Sequence, residues 1–376
     1  MHFLQILALA LPIGHAVAAP VADATTDDAS ADSFASSDAS TDSFAGPGCG
    51  PRNQLVRREW RTLSTRDKQR YISAVQCLQT KAPQLASRYA ASKSRFDDFQ
   101  ASHVDLTPNI HWNAPFLPWH RYFIHLYERE LRTTCGYTGA QPYWNWSLDA
   151  NNEADVLKSP VFDPVTGFGG NGPYIPDAEA AVFPNLPFVV PGRSGGGCVP
   201  NGPFAKRNIS LALGATLAYD PHCMRRDVSP LVVSRAGNQG VVNNALASPN
   251  FYEFNKRVQG GLLPDQLTLH ASVHIGVGGN TGDIANVNSS PGDPLFYLHH
   301  ANLDRIWEQW QAKSPANRND FFGPDKEWAY PFNFFGDIPY TNVTAEFQVG
   351  VGGLGAPLKV RDLLSPTRGP LCYRYE

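Results

Sequence analysis

Apolar positions recur at helical spacing in several stretches of the chain, each bounded by residues that start or stop helices. In the first, Tyr71, Ile72, Val75 and Leu78 share one face of a helix predicted over 65–80. Ser64 with Asp67 forms a capping-box pattern at its start, and Pro83 ends the run. Residues 85–101 read as a second helix. The third is predicted over 118–133, with Pro118 suited to the first helical position and Gly136 as its stop. The fourth spans 262–275 and is closed by Gly276, Gly278 and Gly279. Asp293 and Pro294 supply the cap and first residue of a fifth, which runs to about Lys313. Residues 151–205 are rich in Gly and Pro, show no long periodic run, and read as a surface excursion. From Trp328 onward, Pro, Gly, aromatics and β-branched residues suggest short strands. There is no 20–50-residue repeat. The pattern predicts one mainly α domain over 49–376, with long loops.

Composition refines this picture. The 32 Gly and 31 Pro agree with many irregular loops, while 42% hydrophobic and 11% aromatic residues can build a core and exclude global disorder. A net charge of −3 argues against a nucleic-acid-coating protein. No apolar run is long enough to span a bilayer. Residues 1–18 combine a short apolar stretch with Ala16-Val17-Ala18 and read as a secretory signal peptide. Residues 19–48 are acidic and Ser/Asp-rich, with six Asp and no Lys or Arg. They read as a flexible tail, because they cannot bury enough apolar surface to offset their ordering entropy.

The cysteines agree with a secreted, extracellular address. Cys49, Cys77, Cys135, Cys198, Cys223 and Cys372 are even in number, widely spaced and without a C-x-x-C pair, which favours three disulfides. Order along the chain suggests Cys198 with Cys223 and Cys49 with Cys372, though spacing alone leaves the pairing open. Asn208, Asn288 and Asn342 stand in glycan-acceptor sequons.

The histidines carry the chemistry. Beyond the leader, four lie between 103 and 125 and four between 270 and 300. His270 and His274 are one turn apart on a predicted helix, so both imidazoles can reach one ion. His299 and His300 are adjacent on the next helix and point about 100° apart, so one of them reaches that ion. His300 shares a face with Phe296 and Asp304. A three-His site from His270, His274 and His300 follows, and His103, His111 and His120 can form a matching one. Six neutral imidazoles without an anionic ligand suit an ion cycling between Cu(I) and Cu(II). Structural zinc would recruit cysteine, and a hydrolytic two-metal centre would use bridging carboxylates.

Two long motifs add a resemblance. His111-Trp-Asn-Ala-Pro-Phe-Leu-Pro-Trp-His120-Arg-Tyr-Phe, with Tyr127-Glu128 beyond it, resembles the first copper motif of the tyrosinase and catechol oxidase family. Asp293-Pro-Leu-Phe-Tyr-Leu-His-His300-Ala-Asn-Leu-Asp304-Arg-Ile-Trp307 resembles the second, His270-x-x-x-His274 lies upstream of it, and Cys372-Tyr373-Arg374-Tyr375 resembles the closing tyrosine motif. The match covers residues 50–376 and looks most like a secreted fungal member.

The resemblance implies a four-helix bundle holding two copper ions about 3–4 Å apart. His103, His111 and His120 would hold one, and His270, His274 and His300 the other. O2 would be the co-substrate and a small phenol the substrate, with o-diphenols oxidised to o-quinones. A tyrosinase with substantial monophenol hydroxylation, or an o-aminophenol oxidase, is the alternative; a non-enzymatic O2 carrier is a remote one. Phe116 and Phe296 are expected beside ligand rings. Asp304 is expected to orient an imidazole or, preferentially, to pair with an N-terminal arginine such as Arg58. Ala271, Ile275, Val277, Ile284 and Val287 are gate candidates, and the pocket rim is expected from the 276–290 loop and the 151–205 segment. Asn109 stands where some relatives carry a thioether-linked cysteine, so no such link is expected. The sequence ends one residue after Tyr375, so a plugging C-terminal domain is not expected. Family members that hydroxylate monophenols well often have Asn after the second copper's first ligand; Ala271 stands there, which favours an o-diphenol oxidase.

Overall fold

The computed structural model describes residues 49–181, 186–261 and 263–376. The leader and acidic tail expected over 1–48 lie outside the described residues, as does Leu262, where the fourth helix is expected to begin.

Helix α1 (Thr65–Leu78) forms where its periodicity predicts. Ser64 Oγ accepts the Asp67 N–H at 3.2 Å, a cap worth about 1 kcal/mol. Helix α2 (Arg95–Leu106) starts ten residues later than predicted. Leu85 and Tyr89 do pack inward, on Ala101, Val104 and Leu211, but from turns. The buried Asp98 carboxylate explains why: it accepts from Gln84 N (2.7 Å) and Ser92 Oγ (2.6 Å), drawing this segment's polar groups out of helical pairing. Helix α3 (Phe116–Cys135) starts two residues early, so Pro118 is its third residue, where the missing N–H still costs nothing. Gly136 ends it at φ 65°, with its N–H on Leu131 O.

Among the described residues, three helices of eight residues or more were not legible in the pattern: α4 (Pro230–Gly237), α5 (Gln239–Leu246) and α6 (Phe251–Gln259). Each has only eight or nine residues, below the window of roughly 11–18 residues over which helical periodicity is read, and each is opened by a side-chain cap, from Ser229, Asn238 and Asn250 respectively. Helix α7 (Leu269–Gly278) is buried along its whole length. Helix α8 (Leu295–Ala312) is capped by Asp293 Oδ1 on Leu295 N at 3.0 Å.

Residues 151–205 are not a surface excursion. Val156, Val161, Phe162, Phe168, Val199 and Phe204 belong to the main core. The segment winds through short turns, so its apolar residues reach inward without a period. Arg226, fully buried, ties it to the start of α8: its guanidinium donates to Phe168 O (3.0 Å) and, in a fork, to Asp293 (2.7 and 2.9 Å).

Helices α2, α3, α7 and α8 form the histidine-bearing bundle. Aromatic rings bind three of them: Tyr127 stacks on Tyr297 at 3.5 Å, and Phe99 meets Phe123 and Tyr127 edge-on. The strands are short. Strand β1 (Leu55–Arg57) pairs parallel with the C-terminal strand Tyr373–Tyr375, and Asn208–Leu211 pairs antiparallel with Tyr219–Cys223. The disulfides are Cys49–Cys372, Cys77–Cys135 and Cys198–Cys223.

The arginine expected opposite Asp304 is the neighbour of the one anticipated. Successive strand residues point to opposite sides, and Arg57 is the inward one. Asp304 accepts from Arg121 Nε (2.5 Å), from the Tyr373 and Tyr375 hydroxyls (2.6 Å each) and from Arg57 Nη1 (3.3 Å). Arg58 instead pairs with Glu376 at the surface (2.8 Å). Burial alone would raise the Asp304 carboxyl; Arg121, Arg57 and the two hydroxyls hold it below its usual range.

Candidate metal centre

Two groups of buried histidines face one another inside the bundle. His103, from α2, meets His111, from the loop after it, and His120, one turn into α3. His270 and His274, one turn apart on α7, meet His299 and His300 of α8. Within each group every residue offers a ring nitrogen within 4.8 Å of the others. Across the groups the rings nearly touch: His120 stacks on His300 at 4.2 Å, and His111 on His270 at 5.7 Å.

Backbone carbonyls set the tautomers. His103 Nδ1 lies 2.7 Å from Asn288 O, His111 Nδ1 3.0 Å from Thr107 O, His120 Nδ1 2.8 Å from Phe116 O and His274 Nδ1 2.7 Å from Ile284 O. A carbonyl only accepts, so each Nδ1 carries the proton and each Nε2 keeps a free lone pair. His299 is the reverse. Its Nδ1 accepts the Trp146 indole N–H at 3.0 Å, so in a neutral ring its Nε2 carries the proton and has no lone pair to give.

Burial holds all seven rings neutral, reinforced by neighbouring imidazoles at every one but His274. His103, His120, His270, His299 and His300 are pushed well below the ordinary histidine range. His111 falls to about 3 and His274 to about 4. The Nε2 atoms of His103, His120 and His270 are buried without a protein partner, a costly arrangement unless something else fills them. His274 Nε2 and His300 Nε2 lie 3.2 Å apart, the spacing of two nitrogens on one ion about 2 Å from each. No carboxylate or thiolate joins either group among the described residues. Neutral nitrogen donors alone fit copper.

Phe296 and Phe116 lie between the groups. The Phe296 ring is 4.2 Å from His300 and 5.2 Å from His103. The Phe116 ring is 4.7 Å from His120 and 4.8 Å from His270. Asp304 is one turn beyond His300, engaged in the arginine–tyrosine network and in no bond to an imidazole.

A cavity of about 150 Å³ opens on the centre, with His111, His270 and His274 at its base. Engineered apolar cavities of roughly that size take up benzene. Ala271, Ile275 and Val287 line it. Val277 and Ile284 do not; both are fully buried in the main core, and Ile284 contributes only its carbonyl, to His274. Leu186, from the 151–205 segment, and Ala285, Asn286 and Asn288, from the 276–290 loop, extend the lining as the expected rim; Trp112, Gln259, Gly261 and Leu267 complete it and were missed in the sequence. Trp112 stands beside His111 and was available as a clue. Gln259, at the end of α6, was not singled out because that helix was not read from the sequence.

A buried, dinuclear, nitrogen-only metal site in a helical bundle is thus the class that fold and site define. The chain matches the model of the common central domain of tyrosinase over residues 93–313. It is 36% identical over 340 residues to Tyrosinase P of Aspergillus terreus, covering 85% of this chain and 91% of that protein. It is 35% identical over 359 residues to the N-acetyl-6-hydroxytryptophan oxidase ivoB of Emericella nidulans, covering 87% and 94%. A variant polyphenol oxidase from Thermothelomyces thermophila shares its fold with a TM-score of 0.75 at 31% identity, over 88% of this chain and 91% of that one. The chain belongs to the tyrosinase family: it is an oxidoreductase with a dinuclear copper centre that acts on small phenols. No helix among the described residues is long and apolar enough to cross a membrane.

Proposed function

We propose that the protein is an o-diphenol oxidase, with His103, His111 and His120 on one copper and His270, His274 and His300 on the other. The tautomer pattern supports this set: the Nε2 lone pairs of His103, His111, His120 and His274 are preset, while the acceptor nitrogen of His299 is spent on Trp146. When bound, the copper pair would supply the redox chemistry by which two catechols become two o-quinones while one O2 takes their four electrons and four protons and becomes two waters. The protein's own part is to fix the imidazoles through the Asn288, Thr107, Phe116 and Ile284 carbonyls, hold a ring against Ala271, Ile275 and Val287, and keep water from the centre.

The cavity lining carries the distinction from a monophenol hydroxylase. Hydroxylation requires the phenol proton to be removed first, and a positioned base speeds that step. The polar non-histidine side chains lining the cavity are the amides Gln259, Asn286 and Asn288; no carboxylate lines it. Ala271 and Ile275, next to two of the histidines, sit in an apolar cluster with Val190 and Val232. Initial rates on 4-methylphenol and 4-methylcatechol under saturating O2 test the reading. The expected ratio is below about one hundredth, the scale of losing one general base; Ala271→Asn should raise it. Comparable rates on the two would make the protein a tyrosinase, and a preference for o-aminophenol would make it an o-aminophenol oxidase.

Secretion is proposed on the three disulfides and on the exposed sequon residues Asn208 and Asn342. Asn288 is a poorer acceptor, because it is half-buried at the cavity and its carbonyl holds His103. Mass analysis before and after glycosidase treatment should find sugar at the first two and none at Asn288.

A further inference from the structure

A second, larger cavity of about 680 Å³ lies beside the copper pocket, and Gly261, which carries no side chain, lines both. Its walls include Trp328, Phe332 and Phe334. Trp328 stacks on Trp112 with centroids 3.8 Å apart and planes 20° from parallel. Trp112 lines the copper pocket and Trp328 the second cavity, so the indole pair spans from one to the other.

This pair is built at a cost. Both tryptophans adopt positive φ, 45° for Trp112 and 61° for Trp328, a conformation rare for bulky residues that persists only where surroundings enforce it. The enforcement is visible. Trp328 N–H donates to Trp112 O at 3.1 Å, and Trp112 N–H donates to the buried Gln259 Oε1 at 2.5 Å. Gln259 Nε2 is held in turn by Asn255 Oδ1 at 3.0 Å. Such strain gathers at ligand sites rather than at plain packing. The charged residues lining the second cavity are Lys256 and Arg257 against Glu253, two cations to one anion. The copper pocket itself has room for about one ring.

We propose that this aromatic cavity is a subsite for the distal part of an extended phenol, namely a second aromatic ring and a neighbouring carboxylate, both carried on the chain that leaves the oxidised ring. The second ring lies against Trp328 and Phe334, and the carboxylate faces Lys256 and Arg257. The inference rests on the o-diphenol reading and assigns its substrate class: two-ring phenolic acids rather than simple catechols.

The test compares 4-methylcatechol with N-(3,4-dihydroxyhydrocinnamoyl)phenylalanine on the copper-loaded enzyme. The extended substrate should show a KM lower by about fivefold or more, the scale of one aromatic contact. Phe334→Ala should raise its KM at least about threefold more than that of 4-methylcatechol, and Lys256→Gln, at an exposed position that leaves folding intact, should raise it about twofold more. A second readout needs no turnover. Titration with hydrocinnamoyl-phenylalanine, which lacks the hydroxyls, should quench tryptophan fluorescence saturably, and less tightly in Phe334→Ala. Equal KM values, a gain that survives Phe334→Ala, or no saturable quenching would overturn the subsite. Failure to oxidise 4-methylcatechol would instead overturn the o-diphenol reading, and the quenching titration would still decide the subsite.

Discussion

Each imidazole at the centre has two nitrogens, and in five of the seven the chain commits one of them before any metal arrives. Four are committed through Nδ1–H to backbone carbonyls, which leaves Nε2 for the ion. His299 is committed the other way by Trp146. Spacing along α8 separates His299 from His300 by direction only; the indole adds a chemical reason. Trp146→Phe should therefore act on stability rather than on metal. It leaves the buried His299 Nδ1 unsatisfied, at about 1–3 kcal/mol, and should lower the melting temperature while copper content stays at the wild-type level. Loss of copper in that variant would mean that His299 is part of the centre.

Among the elements, the paired terminal strands place Arg57 between Glu128 (2.8 Å) and Asp304 (3.3 Å), all three buried. Breaking a buried network by removing one member costs about 3–5 kcal/mol, so Arg57→Met should shift the urea midpoint strongly. Arg58→Met removes an exposed pair with Glu376 and should cost about 1 kcal/mol or less. Equal shifts would refute the inward assignment of Arg57. A second element-scale test is His222, at the end of the strand Tyr219–Cys223, whose Nε2 meets Asp283 at 2.7 Å. That hydrogen bond raises its folded pKa against the opposing effect of burial. The stabilisation is full below the unfolded value of about 6.5 and is lost as pH rises through the higher folded value. The melting temperature of wild type should exceed that of His222→Asn more at pH 5.5 than at pH 8.5; a constant difference would contradict this. These elements also show what sequence can carry. The i, i+4 pair His270/His274 and the long motifs around His120 and His300 are local, so they were legible. The start of α2 was not, because Asp98 holds the preceding turns by contacts across the loop. Helices α4–α6 are shorter than the window over which their periodicity could be read. Arg57 and Arg58 were adjacent in sequence, and only the strand pairing decided which faced Asp304.

Across the whole molecule, the fold converges on one buried volume. The bundle brings together histidines from distant parts of the sequence, and Phe116 and Phe296 pack between the two groups. The segment 151–205, read in sequence as a surface excursion, instead fills part of the core, and it reaches the copper pocket through Leu186, as its expected share in the rim requires. Cys49–Cys372 closes a span of 323 residues around this body. The proposed six-histidine centre follows from that convergence, and copper stoichiometry tests it most directly. Elemental analysis of purified protein should find about two copper ions per chain in wild type and in His299→Ala. His300→Ala should fall to about one, with catechol oxidation abolished, because the two-electron exchange needs both ions. Two ions retained in His300→Ala, with loss in His299→Ala, would contradict the ligand assignment; zinc in place of copper would contradict the account as a whole.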